Sequence, residues 1–201
     1  DGAVLSQTDP DLFQAGREAF FDYWPVREDT TYRSTRVGAD SEFFFLDERS
    51  FRSQSPDEAD SPCRLENGAL DLAPTMPTGD RAALGLPPTD PACLAHILDP
   101  TRTMLGAEQK AWLLDGLSNT TARWKFIVNQ VPIVEAYAVP YDRWEGYAAE
   151  RAEILSFIRD NQDAFIKGLS DRGFDDPKAA LNRILSLDEQ RRAAGGSVGR
   201  M

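Results

Sequence analysis

Asn129 and Gln130 close the apolar run Trp124-Lys125-Phe126-Ile127-Val128, and two side-chain amides at the end of a β-favouring stretch are natural contacts for a ligand. Their plainer role is to satisfy neighbouring backbone groups. Downstream, Asp142, Trp144 and Tyr147 lie in and around a Trp-Glu-Gly-Tyr turn that either rims a pocket or serves as a packing corner before a helix. Arg33, Arg49 and Arg52 could hold a phosphate through paired N–H donors, or tie the strand ending at Asp47 to nearby carboxylates. The candidate pocket residues are therefore Asn129, Gln130, Asp142, Trp144, Tyr147 and Arg49, and no residue is assigned a catalytic role. His96, the single histidine, reads as a satisfied histidine before it reads as a ligand. Glu48 and Glu145 read as solvated or Arg-paired carboxylates before they read as metal ligands.

Charge narrows the chemistry. A net charge of −11 opposes binding to a nucleic-acid backbone, and no Lys/Arg stripe interleaved with aromatics offsets it. A phosphate ester is an anion too, so an acidic chain that works on one needs local positive charge from arginines or from bound metal. The 201 residues, 41% hydrophobic and 27% charged, suffice for one folded domain with its own core. No apolar run approaches the roughly 20 residues of a membrane-spanning helix. Cys63 and Cys93 flank a stretch rich in Pro, Gly and Asp, which favours a disulfide; two separate buried thiols in a reducing compartment are the alternative. Asn119-Thr120-Thr121 fits a glycosylation sequon, a pattern short enough to arise by coincidence.

The elements that must position these residues follow from periodicity. Asp9-Pro10 starts a helix that reaches Tyr23, with Leu12, Phe13, Ala19, Phe20 and Tyr23 at near-helical spacing. Tyr32 to Arg36 and Glu42 to Asp47 read as a hairpin turning at Gly38, its second strand buried. Residues 53–91 show neither period, and 53–100 as a whole read as a long loop, bridged by a Cys63–Cys93 disulfide, of the kind that lines a site or forms an insertion. Gln109, Trp112, Leu113, Gly116 and Leu117 share one face of a helix ending near Asn119, and Trp124 to Val128 form the next strand. Trp112 and Trp124 are both expected in the core. Tyr147 to Ile158 reads as a helix with Ala148, Ala152, Leu155 and Ile158 on its apolar side and Glu150 elsewhere. Beyond Asn161 the pattern suggests short charged helices and a frayed Gly-rich end.

Three sequence blocks carry a resemblance. Arg102-Thr103-Met104-Leu105-Gly106 with Gln109, Trp112-Leu113, Leu117, Trp124-Lys125 and Asn129-Gln130-Val131 closely resembles the PhoD-like (alkaline phosphatase D) family. Asp142, Trp144, Glu145, Gly146, Tyr147, Glu150 and Arg151 match its Asp-x-Trp-(Asp/Glu)-Gly-Tyr element and following Glu-Arg pair. Upstream, Tyr32-Arg33, Gly38 and Leu46 to Arg52 resemble its strand-and-arginine element. The resemblance implies an α/β fold, a calcineurin-like layered sandwich with flanking helices and a long loop insertion. It also implies hydrolysis of phosphate mono- or diesters at a calcium and iron centre, in a protein exported to the periplasm or extracellular space.

The same resemblance places the metal ligands in an early Asp- and Cys-containing section, a Trp-Asp-Asp-His-Glu-like block and a Gly-Asp-x-His-like block. None of these occurs here, since Gly79-Asp80 is followed by Arg81-Ala82-Ala83. Residues 1–160 are accordingly expected to be a partial metallophosphatase domain that assembles no metal site alone and depends on the remainder of a parent chain. Residues 161–201 are expected to be a divergent helical tail. A secreted, non-catalytic binding module on the same scaffold is the rival expectation.

Overall fold

A computed structural model describes residues 9–24, 30–57, 60–134 and 141–161, with isolated positions from 175 to 186. The charged helices and frayed end expected after Asn161 lie outside the described residues apart from those isolated positions. Helix α1, Pro10–Tyr23, starts where Asp9 accepts the Leu12 N–H at 3.0 Å and proline occupies the first turn. None of its residues is fully buried, so its aromatic side supplies no part of the core.

Strands β1, Arg33–Val37, and β2, Ser41–Phe45, form the expected antiparallel hairpin, with Arg33 opposite Phe45 and Val37 opposite Ser41. Gly38 adopts φ 66°, the left-handed conformation that a tight hairpin turn demands of its glycine. Strand β3, Trp124–Val128, adds to β2 in parallel, Ser41 facing Trp124 and Phe45 facing Val128, giving the order β1-β2-β3. The protein is thus a mixed α/β structure around a small three-stranded sheet. Val131 to Val134 does not extend β3; Pro132 lacks the N–H that a ladder needs.

The residues between the hairpin and residue 105 are more ordered than a structureless loop. They contain helices α2, Thr78–Ala83, and α3, Pro91–Ile97, which the sequence reading leaves as loop because each is too short to show a period. The Cys63–Cys93 disulfide is formed and lies fully buried with Ile97 and Tyr141 in a small apolar cluster. Arg81, itself buried, grips Asp71 with two N–H donors at 2.9 and 3.0 Å and also donates to the Ala73 and Pro87 carbonyls. Such satisfaction of a buried guanidinium is what permits its burial.

Helix α4, Gly106–Asn119, turns Gln109, Leu113 and Leu117 inward as the spacing predicts. It lies so close to β2 that a Cβ on Gly116 would meet Phe44 Cε1 at 2.6 Å. A short 3-10 turn, Trp144–Tyr147, leads into helix α5, Ala148–Asp160. Phe44, Leu46, Met104, Leu105, Leu113, Leu117, Trp144, Tyr147 and Ile154 make the main core.

Two expectations are corrected. Helix α5 buries Glu150 and Ile154, while Ala152 and Ile158 face solvent, so its inward face is rotated from the apolar one read from the sequence. The reason is polar. The Glu150 carboxylate braces the turn that leads into α4, accepting from Met104 N at 2.6 Å, Leu105 N at 3.1 Å and the Thr103 hydroxyl at 2.7 Å, while Thr103 Oγ1 itself accepts the Gly106 N–H that opens the helix, at 2.7 Å. Trp124 is not core either. It lies on the sheet face opposite α4, whereas Trp112 packs against the core as expected.

Candidate functional site

Because β2 and β3 are parallel, the chain leaves both at the same edge of the sheet, and the candidate residues follow these two exits. In α/β sheets that edge is where ligands gather. Leu46 N still donates to Val128 O at 3.2 Å, carrying the pairing one step past the strands before they separate.

Glu48 binds the two exits together. Its Oε2 accepts the Gln130 and Val131 N–H groups, both at 2.8 Å, and its own N–H donates to Gln130 Oε1 at 3.1 Å. Its Oε1 accepts the Trp144 indole N–H at 2.8 Å. Glu48 is completely buried. Burial pushes its carboxyl above the usual range, and the donors from Val131, Trp144 and Gln130 only partly oppose that shift. The expectation of a solvated or Arg-paired Glu48 is therefore corrected, since three N–H donors replace water. Glu145 is also buried and does pair with an arginine, Arg143, at 2.9 Å.

Asp47 organises the turn after β2. Its carboxylate accepts the Arg49 and Ser50 N–H groups at 2.9 Å and the Thr31 hydroxyl. Burial raises this carboxyl, but the bonds from Ser50, Thr31 and Arg49 outweigh burial and hold it below its ordinary value. Gln109 clasps the Asp47 backbone on both sides, accepting its N–H at 2.7 Å and donating to its carbonyl at 2.8 Å. The turn so held presents Arg49 and Arg52, and both reach Oδ1 of Asp142, at 2.6 and 2.5 Å. The Arg52 side chain is wholly buried, whereas those of Asp142 and Arg49 are 52% and 39% exposed. Burial raises the Asp142 carboxyl, and the bonds from Arg49 and Arg52 outweigh it, leaving the group lowered.

The six candidates thus separate by position. Arg49 and Asp142 present charge to solvent. Gln130 is committed to Glu48. Trp144 and Tyr147 are buried, Tyr147 donating its hydroxyl to Ser53 O at 2.8 Å, so neither ring lies open to solvent. Asn129 keeps its side-chain Oδ1 buried with no hydrogen-bond partner, an orphan acceptor at the mouth of β3. Arg33 lies elsewhere, its guanidinium 4.8 Å above the Phe45 ring. The residues that sequence reasoning missed are Glu48 and Glu150, both classed with surface carboxylates. No local signal marked their burial, since Glu48 stands between Asp47 and Arg49 and Glu150 stands beside Arg151.

The donor set does not fit a calcium or iron centre. Among the described residues no three His, Cys, Asp or Glu side chains converge as ligands. Both cysteines are in the disulfide, and His96 Nε2 lies 3.3 Å from the Arg102 guanidinium. Burial and that cation lower the His96 pKa, as expected of a packed histidine. Among the described residues no helix is long and apolar enough to cross a membrane.

Comparison with known proteins gives one consistent answer. Residues 6–166 match the model of a family described as PhoD-like phosphatase. Alkaline phosphatase D of Bacillus subtilis (strain 168) is 35% identical over 68 residues, an alignment covering 30% of this chain and 12% of that protein. A solved structure, described as the structure of PhoD, superimposes with a TM-score of 0.52 at 22% identity, covering 73% of this chain and 26% of the other. The chain therefore spans about a quarter of the length of that solved relative.

Proposed function

Since the chain belongs to the PhoD-like phosphatase family, we propose that it forms part of a metal-dependent alkaline phosphatase or phosphodiesterase, supplying scaffold and one wall of the site. The sheet is then one layer of a calcineurin-like sandwich, and the disulfide suits an exported protein. The observation that carries this reading is the half-exposed Arg49–Asp142 pair just beyond the end of β2, at the sheet edge where Glu48 ties the exits of β2 and β3 together.

What these residues do follows from their charge and position. The Arg49 guanidinium, half in solvent and backed by Asp142, offers N–H donors to an anionic phosphoryl oxygen in a chain that is otherwise strongly acidic. Asp142 holds that guanidinium in place, and the Asp47 turn fixes the Arg49 backbone. Calcium and iron would be held by residues beyond these, because the described donors do not converge on a cation.

The test is hydrolysis of p-nitrophenyl phosphate and bis(p-nitrophenyl) phosphate by the intact gene product, with calcium and iron added or chelated. Metal-dependent turnover that falls at least tenfold in kcat/KM for Arg49→Ala is expected, with the 201-residue chain alone inactive. No turnover under any metal condition overturns the reading. The unconverged donor set also favours a second reading, a non-catalytic binding module on the same scaffold. That reading gains if the intact product binds phosphate esters without hydrolysing them.

A further inference from the structure

Tyr141 stands immediately before Asp142 and is buried. Its ring packs with Ile97 and the Cys63–Cys93 disulfide in the small apolar cluster. Its hydroxyl donates to the Asp71 carbonyl, and its own carbonyl accepts the Ser55 hydroxyl at 3.2 Å. Asp71 is held in turn, its N–H donating to Cys63 O at 2.9 Å and its carboxylate gripped by Arg81. These anchors lie between residues 55 and 97, in the segment that the disulfide braces. Burial pushes the Tyr141 hydroxyl above its ordinary value, so it stays protonated and able to donate across the neutral range.

The next residue is the one that meets Arg49. Asp142 is half exposed, and an arginine–carboxylate pair in water holds its geometry weakly, because ordering two flexible side chains offsets most of their attraction. Here the ordering is done beforehand. Tyr141 fixes the backbone that carries Asp142, and Arg52, whose side chain has no exposed surface, fixes the carboxylate through Oδ1. Arg49 then meets an anion that is already in place. A partner ordered in advance lowers the entropy lost when a solvent-facing guanidinium is held in one position.

We infer that Tyr141 is a positioning residue for the Arg49–Asp142 pair, through which the disulfide-bridged segment sets where that pair presents its guanidinium. The inference rests on the reading of Arg49 as a phosphate-facing group for its kinetic consequence alone. Tyr141→Phe keeps the ring and removes the bond to Asp71 O, and Tyr141→Leu removes the ring as well. Arg49 and Arg52 are the charged groups that hold the Asp142 carboxyl below its ordinary value, so its titration in carboxyl carbon-13 spectra reports whether they stay in place. In the 201-residue chain Tyr141→Leu should move the Asp142 titration upward, and Tyr141→Phe should move it less in the same direction. Cys63→Ala with Cys93→Ala should also move it upward, with Tyr141 intact. Gly116→Ala, which disturbs the main core instead, should leave it where it is. In the intact gene product Tyr141→Phe should raise KM for p-nitrophenyl phosphate about threefold with kcat changed by less than about 1.5-fold, the signature of lost binding that ground state and transition state share.

An Asp142 titration unmoved by the Tyr141 variants overturns the inference. So does an equal shift on Gly116→Ala, which would mean that any loss of stability loosens the pair. An effect of the cysteine pair that adds in full to that of Tyr141→Phe overturns the path through Tyr141. If Tyr141→Leu and the cysteine-free chain do not fold, Tyr141→Phe decides by itself, since it keeps the apolar packing. A shifted titration with an unchanged KM, or with an intact product that does not turn over, leaves the positioning role standing and defeats only the phosphate-facing reading of Arg49.

Discussion

The Trp144 indole donates to Glu48 Oε1 at 2.8 Å across 96 residues of sequence, and both groups are completely buried. Through the other oxygen of Glu48 this bond reaches the Gln130 and Val131 amides, so the 3-10 turn, the exit of β2 and the exit of β3 form one connected unit. Glu48→Gln exchanges one acceptor oxygen for a donor and leaves at least one buried N–H unpaired. The expected cost is about 1–3 kcal/mol. Urea unfolding should report that loss, and the Trp144 indole resonance should shift in nitrogen–proton spectra. An unchanged midpoint with an unshifted indole would show that the bond does not form.

Glu150 braces the lead-in to a helix to which it does not belong. Glu150→Gln keeps one acceptor but replaces the other with a donor facing groups that themselves donate, and should cost about 1–2 kcal/mol. Amide exchange localises the effect: Met104 and Leu105 should lose protection before residues of β2 do. Uniform loss across the chain would contradict a local brace.

Gly116 is required by proximity, not by backbone conformation. Alanine there gains about 1 kcal/mol of helix propensity, but its Cβ would press into the buried Phe44 ring, and overpacking costs about 1–3 kcal/mol. Gly116→Ala should therefore destabilise, and Phe44→Leu should recover part of the loss in a double-mutant cycle. Stabilisation by Gly116→Ala alone would mean that α4 lies further from the sheet.

Acid should weaken the corner below β2. The folded-state pKa values of Asp47 and Asp142 lie below their ordinary 3.8, so their contribution is complete above that value and is lost as pH falls through the lowered one. Glu48 has the opposite sign: raised from 4.5 by burial, it favours folding below that value and loses this contribution as pH rises through the raised one. Stability measured from pH 5 to pH 2 should fall, and Asp142→Asn should flatten the decline at its acid end. Because Asp142 is half exposed, its share is under about 1 kcal/mol. An unaltered slope in the variant would show that the two arginines do not shift Asp142.

Much of this architecture was legible in the residues. The spacing of Gln109, Leu113 and Leu117 gave both the helix and its inward face, Asp9-Pro10 marked a helix start, and Gly38 marked the hairpin turn. The disulfide was the favoured reading of Cys63 and Cys93. These features were readable because they depend on local backbone preferences and on the 3.6- and 2-residue periods of the chain itself.

The remainder depended on partners distant in sequence. The β-favouring run Trp124 to Val128 marked a strand, but which of its faces meets α4 depends on packing with residues elsewhere, and the structure leaves Trp124, Phe126 and Val128 outward. Glu150 looked like a solvent residue until the buried amides of Met104 and Leu105 gave its charge a use. By itself the sequence determined the elements and their periodic faces, because those are set by short-range sterics; only tertiary structure decided which faces and which carboxylates are buried, because burial is settled by contacts between segments that local pattern does not record.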